Sequence, residues 1–218
     1  DIVKKHHSLI STVAVERIMD ELHHIFVLED SYLSIAAMLS DGLLYSILPE
    51  IKKLDKNKML ENYRAVENFL SVQGLTPKVS DNFKKYFRPA YRKAAVKLAV
   101  FFSEPDEANK TAMRLKIPGR ERVLIQMIVC NRDILQALIT EKKEPEKNDK
   151  IIRILKIAGD DIYALSVFAA AYSIQTVSQS SYTELLSFYE EVFKKRIAIL
   201  PLITGNDIMK TFALSPSP

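Results

Sequence analysis

Residues 15–26 read VERIMDELHHIF. Val15, Ile18, Leu22, Ile25 and Phe26 recur at spacings of three, four and one, which lays an apolar stripe along one face of a helix. The same period returns on both sides of later breaks. Leu33, Ile35, Ala36 and Leu39 form a second helix, stopped at Asp41-Gly42, and Leu43, Leu44, Ile47 and Leu48 form a third, ended near Pro49. Residues 57–72 carry Leu60, Tyr63, Val66, Phe69 and Leu70 on one face. Further helical stretches are expected over 79–87, 90–102, 106–116, 120–130, 131–140, 151–158, 161–177, 182–197 and 207–211. No run alternates apolar and polar residues long enough to make a strand. The expected fold is all-α, an irregular multi-helix array of about ten helices with no sheet. Three regions are expected, namely 1–75, 76–140 and 151–218, with the charged stretch EKKEPEKNDK at 141–150 as a linker.

Composition excludes several function classes. Five glycines in 218 residues argue against glycine-rich phosphate loops. One cysteine, Cys130, excludes an intrachain disulfide framework and any multi-cysteine metal site, and fits a reducing, cytoplasmic setting. Cys130 lies in the apolar run LIQMIVC and is expected to be a buried, inert thiol. The histidines fall as His6-His7 and His23-His24, and neighbours on a helix point about 100° apart, so no metal site is expected. Residues 162–183 carry no charge, but only the first part is strongly apolar, which suits a buried core helix and not a membrane span. Asp160-Asp161, after Gly159, is expected to cap the helix that follows. No catalytic constellation stands out.

Charge is uneven. The net +4 divides into −3 over residues 1–75, +8 over 76–132 and −1 over 133–218. A basic block between acidic flanks is the pattern of a polyanion-binding face. Its candidate contacts are Lys84, Lys85, Arg88, Arg92, Lys93 and Lys97, and then Arg114, Lys116, Arg120 and Arg122 around the Pro118-Gly119 turn. Tyr86, Phe87 and Tyr91 interleave with the first group, and their rings are expected to pack the core.

Three stretches extend the reading: VERIMDEL at 15–22, DGLLYSILPEI at 41–51 and LPLITGNDIMKTFALSPSP at 200–218. In that order they resemble the C-terminal half of bacterial CCA-adding enzymes (tRNA nucleotidyltransferases) and the related bacterial poly(A) polymerases. The first is similar to the family's ERI-x-x-E neck motif, the second to its GLL…LPE segment and the third to its tail motif. The resemblance implies an RNA-binding neck, body and tail, with tRNA or another RNA 3′ end as partner. It implies a separate N-terminal catalytic head, where Mg and ATP or CTP are used. This chain would begin inside the neck, with no catalytic residue or cofactor of its own. Glu16, Arg17 and Glu21 would then support the nucleotide pocket, Arg17 and Glu21 pairing at i,i+4. Gly205 and Asn206, before the last expected helix, would offer backbone amides to a phosphate. Relatives carry Ser where Ala14 stands, which leaves Ser11 or Thr12 to cap the neck helix. The segment KLAVFFSEP at 97–105 lacks the His-Asp pair of a phosphohydrolase. Two other readings accompany this one: a helical protein-interaction module without an RNA role, and a degenerate HD-like domain without activity.

Overall fold

The computed structural model describes residues 2–71, 77–140, 145–172 and 179–197, and among them there is no strand. The chain starts with α1 (Ile2–His6) and a 3-10 segment (His7–Thr12), followed by α2 (Val15–Val27), α3 (Tyr32–Ser40) and α4 (Leu43–Ile47). A second 3-10 segment (Pro49–Lys53) leads to α5 (Lys56–Leu70), α6 (Pro77–Phe87) and α7 (Ala90–Ala99). Then come α8 (Pro105–Arg114), α9 (Gly119–Thr140) and α10 (Pro145–Ala158). A 3-10 turn (Gly159–Asp161) precedes α11 (Ile162–Tyr172), α12 (Gln179–Phe188) and a π-helical segment (Tyr189–Ile197).

Local chemistry sets these boundaries. Asp55 caps α5, its carboxylate accepting from the Lys58 amide at 2.7 Å. Pro105 opens α8, and Glu104 before it is held extended by the proline ring. The helix α8 ends in a Schellman turn. Ile117 N–H bonds back to Ala112 O and Lys116 N–H to Met113 O, with Lys116 at φ 54° where glycine is the usual residue. Gly42 has φ 80° at the start of α4, and the His7 imidazole lies only 3.2 Å from where a Cβ would stand. Glycine is needed there on both counts.

The helix α11 is buried from Ile162 to Ala171 and packs against α5, α7, α9 and α12. A helix that is apolar all round belongs at the centre of a fold. No helix among the described residues is long and apolar enough to cross a membrane. Around α11 the buried side chains from Ile18 to Phe193 make one cluster, which runs through all three regions marked out in the sequence. Ile18, Leu22 and Phe26 bring α2 into it, and Phe26, Tyr63 and Phe101 meet with ring centroids 5.8 to 6.4 Å apart. Each such ring contributes about 1.5–3 kcal/mol through burial.

The structure corrects several local expectations. Residues 120–130 and 131–140 are one continuous helix, α9, because neither glycine nor proline interrupts 120–140. The expected linker contains the start of α10, which opens at Pro145, a residue well suited to a first helical turn. The stretch 182–197 changes from α to π at Tyr189. Cys130 is exposed, not buried, because it lies on the outer face of α9. Ser11 and Thr12 do not cap α2; their hydroxyls donate back to Ser8 O and Leu9 O in the 3-10 segment. Asp160 and Asp161 lie in a 3-10 turn before α11 and accept from the hydroxyls of Tyr189 and Tyr86. The 200–218 motif and the 207–211 helix lie outside the described residues.

Candidate nucleic-acid interface

The helix α6 is amphipathic. Val79, Phe83, Tyr86 and Phe87 face the core, which leaves Lys84 and Lys85 in solvent. Arg88 precedes Pro89, whose ring keeps it out of helical geometry, so the chain turns and starts α7. This corner stands beside the ends of α2 and α5. The four elements enclose a groove of about 730 Å³. Lys84, Lys85, Arg88 and Lys93 line it on the α6–α7 side. Val27, Leu28 and Glu29, with Leu70 and Ser71, line the α2–α5 side. None of these four cations has an ion pair among the described residues.

Lys97 behaves differently and corrects the sequence reading. It is 1% exposed and lies beneath the groove. Its ammonium donates to Leu28 O at 2.6 Å, Ser31 Oγ at 2.9 Å and Glu67 Oε1 at 2.6 Å, which uses all three protons. Ser31 Oγ also donates to Glu67 Oε1 and meets the Tyr63 hydroxyl at 2.6 Å. Glu67 further accepts the amides of Ser31 and Tyr32, so it caps α3 from a neighbouring helix. Burial pushes the Lys97 ammonium below its usual range, against the pull of Glu67. Burial likewise raises the Tyr63 hydroxyl far above its ordinary value, against its bond to Ser31. A fully engaged lysine below the surface cannot grip a phosphate. Its signal was in the sequence, since AAVKLAVFF sets one lysine in an apolar run. Glu67, Ser31 and Tyr63 carried no comparable signal.

Arg92 also belongs to the scaffold. Its guanidinium donates to Tyr86 O at 2.7 Å and lies 4.0 Å over the Tyr86 ring, while its buried Nε has no partner among the described residues. The Tyr86 hydroxyl in turn donates to Asp161 at 2.7 Å, which fixes the α6–α7 corner to the start of α11.

The second basic group does not join the groove. Arg114 donates to Ile47 O at 3.1 Å and to Glu50 at 2.9 and 3.0 Å. Lys116 pairs with Glu16 at 2.5 Å. Arg120 lies 4.4 Å over the Tyr91 ring, and Arg122 is half-buried on α9. Two acids of the sequence motifs, Glu16 and Glu50, thus tie α8 and its C-terminal turn to the N-terminal helices. Lys116 holds Glu16 below the usual carboxylate range. Arg17 and Glu21 are exposed, and the expected ion pair between them is not formed. Gly205 and Asn206 lie outside the described residues. The aromatic expectation is met by Tyr86 and Phe87, both 4% exposed.

With this geometry in view, comparison with known proteins adds one finding. Residues 2–54, from α1 through the second 3-10 segment, match the family model described as the probable RNA- and SrmB-binding site of polymerase A. Over that segment the chain is similar to the poly(A) polymerase family, and the match includes the VERIMDEL and DGLLYSILPEI stretches. No curated protein matches the chain.

Proposed function

We propose that this chain is the RNA-binding helical region of a template-independent nucleotidyltransferase, one that adds nucleotides to RNA 3′ ends such as those of tRNA. The observation that carries this reading is the groove. Lys84, Lys85, Arg88 and Lys93 come from 76–132, yet they meet at the end of α2, which lies within the matched segment. The matched segment is itself acidic, with five Lys/Arg against seven Asp/Glu over 2–54, so the phosphate-binding charge comes from its neighbours. The chemistry belongs to a catalytic head that uses Mg and ATP or CTP. Among the described residues no three His, Cys, Asp or Glu side chains gather as ligands, and no step of that chemistry is assigned to them. Arg17 and Glu21 would support that head, a role that their exposure on α2 allows. The setting is cytoplasmic.

Salt-titrated binding of tRNA tests the reading. Four phosphate contacts give a log–log slope of about −3. Binding that is weak and equal for all nucleic acids at every salt concentration sinks it.

A protein partner is the second reading, since the matched description also names SrmB. Ile2 and Leu9 of that segment are exposed apolar residues on its outer side. A chain that captures a protein through these positions and ignores tRNA favours this alternative.

A further inference from the structure

The two walls of the groove differ in kind. The α6–α7 wall carries all four cations, whereas the α2–α5 wall is apolar apart from Glu29, Ser71 and the already paired Glu67. Leu28 on that wall is 54% exposed, an unusual position for leucine beside so much charge. Leu70 stands with it, and Phe83 and Phe87 of α6 also line the groove. A duplex offers such a groove only its phosphates and sugars, so it engages the cations and gains nothing from an exposed apolar wall. A duplex also keeps its bases stacked inside, where no side wall reaches them. An unpaired nucleotide has the complementary shape, with a phosphate at one end and an apolar ring face at the other. The volume, about 730 Å³, is within the range of about 300–1,000 Å³ that holds a small ligand.

Resting on the RNA reading of this groove, we propose that it takes an unpaired nucleotide lying across it, the phosphate on Lys84, Lys85, Arg88 and Lys93 and the base against Leu28 and Leu70. The groove then selects single-stranded RNA over duplex, and does so by its apolar wall and not by its charge. The Lys97 ammonium cancels the Glu67 carboxylate beneath it, so the floor does not repel the phosphate.

The test uses the full chain and three probes compared at equal total phosphate concentration, read by fluorescence anisotropy. They are a single-stranded RNA of about 12 nucleotides, its duplex and an abasic strand. The single strand binds at least about fivefold tighter than either of the others. Leu28→Ser, on a half-exposed position whose backbone contact to Lys97 is kept, removes most of that preference and leaves the salt slope unchanged. Equal binding of the three probes overturns the proposal while the RNA reading stands, because charge alone then does the holding. Leu28→Ser without effect on the preference overturns it in the same way. An acidic peptide that binds as tightly as the single strand overturns it in favour of a protein occupant. Failure of all three probes to bind removes the RNA reading beneath it.

Discussion

Lys97 and Glu67 face each other at 2.6 Å beneath the cationic groove, both almost out of water. Between them they hold the α2–α3 connection through Leu28 O, Ser31 and the Tyr32 amide, and they join α5 to α7. One pair thus positions elements on both walls of the groove.

Breaking a buried pair from one side leaves the other charge uncompensated, at a cost of about 3–5 kcal/mol. Lys97→Met is therefore expected to destabilise the fold by about that much. Lys97→Met with Glu67→Leu is expected to cost much less than the sum of the two single changes. Urea unfolding of the three variants measures this, and additive losses would show that the pair is not coupled.

Gly42→Ala places a side chain at φ 80° and brings its Cβ to 3.2 Å from the His7 ring. The backbone term alone is about 1–2 kcal/mol. His7 also holds Ser46 Oγ at 2.7 Å, so moving the ring disturbs a second contact. A lower thermal midpoint is expected for Gly42→Ala. It is expected to be recovered only in part when His7 is also reduced to Ala, since that change relieves the crowding and not the backbone strain.

The two basic groups are predicted to respond differently in tRNA binding. Arg88→Gln or Lys93→Gln reduces the salt slope by about one contact each. Arg114→Gln leaves the slope unchanged, because that guanidinium is occupied by Ile47 O and Glu50. The contrast is read from log Kd against log salt. A slope that falls equally for Arg114→Gln would show that the second group meets RNA as well.

Burial pushes His23 below the ordinary imidazole value of 6.5, and the charge of His24 adds to this. Asp20 acts in the opposite sense, Arg120 acts with burial, and the Glu121 carboxylate lies 3.9 Å away. Glu121 is itself raised above the usual carboxylate range by burial, against Arg120, which weakens its hold on the ring. In the folded chain His23 binds a proton less readily than in the unfolded chain. The stability tied to this group is therefore present above pH 6.5 and declines as pH falls through 6.5 towards the folded value. An NMR titration of the His23 ring is expected to give a midpoint below 6.5. A midpoint above 6.5 would mean that Glu121 holds the imidazolium.

The helices were legible because the apolar period is local. Ile18, Leu22 and Phe26 mark the buried face of α2 in the bare sequence, and the same three are buried in the structure. Terminations were legible where a single residue enforces them, as at Gly42, but the expected helix over 90–102 ends at Ala99, short of its expected end. The long helix α9 was not, because a change in local polarity near position 130 looks like a boundary when packing is unknown. The fate of each cation was the least legible part. Lys93 and Lys97 are one turn apart on α7, with the same chemistry and the same basic neighbourhood. Lys93 lines the groove, while Lys97 is enclosed because α2 packs on α7 and α5 brings Glu67 to meet it.

The sequence alone determined that this chain is all-α and that residues 76–132 are its basic part, since periodicity and charge are properties of neighbours along the chain. Only the tertiary structure decided which cations share a groove and which are spent on the scaffold. That choice depends on Glu16, Glu50 and Glu67, acids distant in sequence, and a carboxylate neutralises whichever cation the packing brings within about 3 Å of it.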